Sequence, residues 1–226
     1  GNILKSGISD STYNTQTTFY NYSVNSVLNK VRPLPPRVDF SFNVGYGWLP
    51  KTEGLTGTDK QFDDKLTSGL AWDLAFHHYI KNFGWGIFYS GYSSDSYYEK
   101  TNMDHNVLLS YIAPLFCTKY SFNKKWMING EVGVGYLKFS DKISSGIEKG
   151  KTYVSTVGFN YGIGIEYKLN KHMGIGISFN EIVGSAFLKN IKMENVHSII
   201  AYNDYDRINL NRLNLLGGIR FYFGDR

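Results

Sequence analysis

This sequence predicts an all-β fold, an eight-stranded antiparallel up-and-down transmembrane β-barrel preceded by a polar N-terminal arm. Three observations predict it. Apolar and polar residues alternate strictly along eight segments, so each segment read as a strand has one greasy face and one small or polar face. The connections between these segments alternate long and short along the whole series. The four tryptophans sit at strand ends, with Trp48 and Trp72 beside long connections and Trp85 and Trp126 beside short ones, as two interfacial girdles would require.

In chain order, residues 1–37 are rich in Ser, Thr, Asn and Tyr and close on Pro33-Leu34-Pro35-Pro36, whose missing amide donors mark the boundary of the first strand. Val24, Val27, Leu28 and Val31 recur at helical spacing within this arm. Strand one sets Val38, Phe40, Phe42, Val44, Tyr46 and Trp48 against Asp39, Ser41, Asn43, Gly45 and Gly47. Strand two opposes Leu70, Trp72, Leu74 and Phe76 to Asp73, Ala75 and His77, and the short link 81–83 leads to strand three with Trp85, Ile87 and Tyr89. After a polar loop over 93–105, strand four carries Val107, Leu109, Tyr111, Ala113 and Leu115 on one parity, and its other face is apolar too, so its register stays open.

Residues 121–125 connect to strand five, where Trp126, Ile128, Val132, Val134 and Tyr136 oppose Asn129, Glu131, Gly133 and Gly135. A loop is expected over 141–151. Strand six alternates most cleanly, with Val157, Phe159, Tyr161, Ile163, Ile165 and Tyr167 set against Gly158, Asn160, Gly162, Gly164, Glu166 and Lys168. Strand seven follows the turn at 170–172, and the longest loop spans 187–206. Strand eight places Leu213, Leu215, Ile219, Phe221 and Phe223 opposite Asn214, Gly218, Arg220 and Tyr222, and residues 224–226 form a tail.

The direction of alternation decides between lipid and water outside. Eight strands leave an interior just wide enough to fill with side chains, so the rings of Phe40, Phe42, Phe159, Tyr161 and Phe179 are assigned to lipid and the glycines, amides and charges to the lumen. No segment approaches the roughly 20 continuous apolar residues of a membrane helix. The net charge of +5 comes from scattered Lys and Arg, without the basic face and stacking aromatics of a nucleic-acid site. Cys117 is the only cysteine, which excludes an intrachain disulfide. No His, Cys, Asp and Glu spacing suggests a metal, and no cofactor motif is present.

The closing strand, with its alternating apolar residues ending on Phe221 and Phe223, resembles that of bacterial outer-membrane β-barrels, and residues 38–223 resemble the small barrels typified by the OmpA-type transmembrane domain. That resemblance implies that Phe221 and Phe223 form the signal read by the barrel assembly machinery, and that outer-membrane lipid and lipopolysaccharide surround the wall. It implies further that both termini are periplasmic and the long loops extracellular. The arm of residues 1–37 then stands as a periplasmic extension that contacts a partner protein, plugs the barrel or drapes over its surface.

The inward set contains Asp39, Asp73, His77, Glu131, Glu166, Lys168, Arg212 and Arg220. Buried charges must pair, so Asp39 and Arg220 are expected to meet where strands one and eight close, with Asp73, Glu131, Glu166 and Lys168 completing a luminal polar network. The expected role is non-enzymatic: a scaffold, adhesin or accessory subunit of an outer-membrane complex. Two alternatives stand beside it, a narrow pore and a rim enzyme that acylates or deacylates lipid A. The enzyme needs a histidine with a serine and a carboxylate at the outer rim, whereas His77 and His78 belong near the periplasmic end and His105, His172 and His197 are isolated.

Overall fold

A computed structural model describes residues 33–49, 68–98, 103–145, 148–187, 192–194 and 207–224. The strands are β1 (Val38–Trp48), β2 (Ser68–Ile80), β3 (Phe83–Tyr98), β4 (Met103–Ser121), β5 (Trp126–Ser145), β6 (Glu148–Lys168), β7 (Met173–Phe187), β8 (Lys192–Glu194), β9 (Arg207–Asn209) and β10 (Arg212–Phe223). Strands β1 to β7 and β10 each pair antiparallel with two neighbours, and β1 against β10 closes the wall into an eight-stranded barrel. The arm lies outside the described residues up to 32, as does the tail beyond Gly224, so the helical spacing over Val24 to Val31 and the arm's contacts carry no structural account.

Barrel geometry follows from register. Starting at Trp48 and stepping through Leu213, Glu181, Tyr161, Val132, Phe116, Trp85 and His78, the cross-strand partners return to β1 at Val38, ten residues from the start. Eight strands with that stagger tilt by about 40° and enclose a cylinder of radius about 8 Å at ordinary strand spacings. Such a cylinder is too narrow for open water along its axis, so its inward side chains must pack.

The wall faces as the alternation demands. Phe40, Phe42, Trp85, Ile87, Ile112, Phe116, Val157, Phe159, Tyr161, Ile163, Phe179 and Leu215 are all exposed on the outside, while the intervening positions are largely buried. A continuous exposed apolar exterior around a sealed backbone ladder is stable in hydrocarbon rather than water. The fold is therefore a transmembrane β-barrel.

Three expectations need correction. The strands β3 to β6 run past the polar stretches read as loops: β3 extends to Tyr98, β4 begins at Met103, β5 reaches Ser145 and β6 starts at Glu148. A strand leaving the bilayer keeps its ladder but loses the lipid that makes one face greasy, so the pattern that marks strands fades there. The long and short rhythm in length consequently fails between β3 and β4, whose connection of four residues equals that between β4 and β5, and between β5 and β6, where two residues connect. Second, the parity of Val107, Leu109, Tyr111, Ala113 and Leu115, left open by the sequence, faces the lumen.

Third, the interior does hold rings: Phe88, Tyr92 and Tyr111 are buried inside. Inward glycines make the room. A methyl at Gly158 would meet the Tyr111 ring at 3.1 Å, and one at Gly47 would meet the Tyr92 ring at 2.8 Å.

Candidate functional site

The lumen is filled in two layers of different chemistry. The layer near the short turns is built where β1, β2, β4, β5, β6 and β10 aim inward positions at one another: Asp39, His77, Lys119, Glu131, Glu166 and Arg220. Lys119 Nζ donates to Asp39 and, at 2.9 Å, to Glu166 Oε2. His77 lies between two carboxylates, with Nδ1 2.7 Å from Asp39 Oδ1 and Nε2 3.2 Å from Glu131 Oε2. The ring can donate to both at once only in its doubly protonated form.

Arg220 Nε donates to Glu166 Oε1 at 3.2 Å, its Nη1 donates to Asn43 Oδ1, and the Tyr222 hydroxyl donates to Glu166 Oε2 at 3.1 Å. The Lys119 ammonium also lies 5.2 Å from the Tyr79 ring centroid and 5.7 Å from that of Tyr222. Three carboxylates thus face three cationic side chains, and each carboxylate accepts from at least one of them.

An amide belt lies above it. Asp73 accepts from Asn43 and, at 3.3 Å, from Asn180, and Asn214 donates to Asn180 Oδ1 at 2.6 Å. Beyond the belt the lumen turns apolar: Phe88, Leu109, Tyr111, Leu137, Phe139, Val154, Ile182, Leu210 and Leu216 belong to one buried cluster. Tyr111 donates to Asn160 Oδ1 at 2.9 Å, which anchors the underside of this plug. Arg212 is buried at the same end, donating to Ser90 and resting 5.7 Å from the Tyr92 ring centroid.

Of the six residues expected in the luminal network, the structure brings Asp39, Glu131, Glu166 and Arg220 into one cluster, places Asp73 in the amide belt and leaves Lys168 half-buried at the short-turn mouth over the Tyr222 ring. Asp39 and Arg220, expected to lie close, share this network through Lys119 and Glu166 but make no direct ion pair. Register sets Arg220 opposite Ser41 and Asp39 opposite Tyr222, so Asp39 takes Lys119 and His77 instead. Sequence reasoning missed Lys119 because its strand's register was open; once Leu115 and Cys117 face inward, Lys119 must follow on the same parity.

Trp48, Trp85 and Trp126 are exposed on the outer wall, and half-buried Trp72 packs its ring 5.2 Å from that of Tyr89. Phe221 and Phe223 point outward on β10, with Phe223 exposed beside the short-turn end. The buried histidine His77 lies at that same end; His78 faces outward with its ring 5.5 Å from Trp85. Among the described residues no cluster of His, Cys, Asp and Glu could hold a metal ion.

No protein-family model matches the chain, and no curated protein matches it either. Solved structures do. Neisserial surface protein A superposes with a TM-score of 0.53 at 9% identity, covering 82% of this chain and 97% of that one. A major outer-membrane protein from Thermus thermophilus matches at TM-score 0.47 and 13% identity over 82% of this chain and 99% of that chain. The outer-membrane protease OmpT of Escherichia coli matches at 0.46 and 8% over 86% of this chain and 99% of that chain. At 9% identity the similarity to the first shows the fold alone: the chain forms a closed eight-stranded barrel like that of Neisserial surface protein A.

Proposed function

We propose that this protein is an integral outer-membrane barrel of the OmpA-type kind that acts without catalysis, as a scaffold, adhesin or accessory subunit. The observation that supports this is the filled lumen. A network of three carboxylates and three basic side chains packs one half and an apolar cluster the other, which among the described residues leaves little room inside for a conduit or a reaction chamber. The surfaces that remain to act are the rims. Strands β3 to β6 span 16 to 21 residues, whereas about 9–11 tilted residues cross a bilayer. The excess stands beyond the membrane as a raised collar on one side, built on hydrogen-bonded ladder rather than on free loops, which is how binding surfaces are held rigid.

On this reading the short-turn end, which carries both ends of the barrel wall, is periplasmic and the collar faces outward, with lipopolysaccharide around it. Residues 1–37 then offer a periplasmic contact for another envelope protein. The test is a detergent pull-down from an envelope preparation with three forms of the protein: intact, lacking residues 1–36, and with residues 188–206 replaced by a short polar linker. Loss of a co-purifying protein from one of the altered forms locates the acting rim. Unchanged partners in all three, together with an altered lipid A profile on deletion of the protein, would replace this reading with the rim enzyme. Single-channel conductance in planar bilayers that changes in Arg220→Ala would replace it with the pore.

A further inference from the structure

The short-turn end carries a cation at every turn. Lys81 stands between β2 and β3, Lys124 and Lys125 between β4 and β5, and Lys171 between β6 and β7, while Arg37 immediately precedes β1; all five are exposed. No Asp or Glu lies among the described residues of these turns. Of the carboxylates near them among the described residues, Asp39 and Glu166 are buried and already engaged by Lys119, His77 and Arg220. Among the described residues the rim is therefore a ring of positive charge without a facing carboxylate, and like charges so arranged repel unless an anion comes between them.

Its height relative to the membrane is set by the aromatics. Lys125 Nζ lies 5.6 Å from the Tyr167 ring centroid, and that ring packs edge-on against Trp126 at 4.9 Å, on the outward face of the wall. Outward Trp and Tyr mark the level of lipid headgroups, so this ammonium is level with phosphates.

Backbone geometry adds an independent sign. Lys81 has φ of 63°, in the left-handed region where a glycine would sit without strain. The turn thus holds a lysine where its conformation favours the residue with no side chain.

We propose that this rim binds anionic phospholipid, the lysines taking the phosphodiester headgroups of the leaflet that borders the short turns. The inference rests on the reading that the barrel spans a bilayer, and is independent of which compartment the turns face. The test refolds the protein into phosphatidylcholine vesicles containing a minor fraction of phosphatidylglycerol. The barrel is extracted in mild detergent and its retained lipid counted by native mass spectrometry. The intact protein is expected to retain phosphatidylglycerol above its share of the vesicle, and 1 M salt to erase the excess. The combined Lys81→Gln, Lys124→Gln, Lys125→Gln and Lys171→Gln variant is expected to lower retention about fivefold or more, since one lysine at an anionic surface is worth about that factor. Heat-dependent gel migration confirms that the variant is a closed barrel, and Lys124→Gln alone, in an exposed turn, gives a smaller loss should the combined form not fold. Retention equal to the vesicle composition, or an excess indifferent to these substitutions, overturns the inference. Failure of the intact protein to insert into any vesicle would instead overturn the transmembrane reading.

Discussion

The two halves of the lumen are enclosed by one wall and filled in opposite ways. Near the short turns the strands contribute Asp39, His77, Lys119, Glu131, Glu166 and Arg220; nearer the collar they contribute Leu109, Leu137, Phe139, Val154, Ile182 and Leu210. The outer face does not register the change, since it stays apolar from Phe83 and Trp126 up to Tyr46 and Val157. The wall answers to lipid, which is uniform, whereas each half of the interior answers only to its own contents. What closes the charged half is directional and cannot slip, because each carboxylate is matched to a donor at a fixed position. What closes the apolar half is volume, set against inward glycines.

That contrast can be broken at its charged side first. Lys119→Ala strips Asp39 and Glu166 of a shared buried cation, leaving Asp39 to His77 alone and Glu166 to Arg220 and Tyr222, and removing one partner from a buried ionic network costs about 3–5 kcal/mol. The expected outcome is a large fall in the urea midpoint of the barrel refolded in lipid vesicles. On the apolar side, Leu137→Ala removes a fully buried side chain, and a loss of about 3 kcal/mol is expected in the same assay. If each loss were the same in 1 M salt as in dilute buffer, both clusters would be confirmed as sealed from solvent; a salt-sensitive Lys119→Ala loss would mean that water reaches the charged half.

Smaller changes sharpen the account of volume. Gly184→Ala would bring a methyl to 2.5 Å from Leu137 Cδ2 with nothing else nearer than 3.7 Å. Leu137 must move, at a cost of about 1–2 kcal/mol, and pairing Gly184→Ala with Leu137→Ala should recover part of it. The smallest effect is expected at Lys81→Gly, which relieves the left-handed φ and stabilises by less than about 1 kcal/mol, the gain offset in part by a freer unfolded chain. A destabilisation there would show that the Lys81 side chain makes a contact worth more than the strain.

Parts of the site were legible in the order of residues alone. Asp39, Glu131, Glu166 and Arg220 declared themselves as inward because their neighbours along the strand were apolar and outward. Lys119 did not, because β4 is apolar on both faces: Ile112 and Phe116 meet lipid while Tyr111 and Leu115 meet the plug. Nor did the partner of Asp39 emerge, since a displacement of two residues in register turns an expected Arg220 contact into one with Tyr222's position. The extra length of β3 to β6 was hidden for a related reason: beyond the bilayer neither face needs to be greasy.

The sequence alone determined the alternation, hence the eight strands of the wall and, on all but β4, which face meets hydrocarbon, because a period of two and a chemically uniform solvent leave one solution; the short β8 and β9, the first inside the expected 187–206 loop, were not read. Only the tertiary structure decided who pairs with whom across the lumen. Those partners lie up to 177 positions apart, as Arg220 and Asn43 do, and meet through the ten-residue stagger of a closed wall, a quantity set by all eight registers together and written in no single strand.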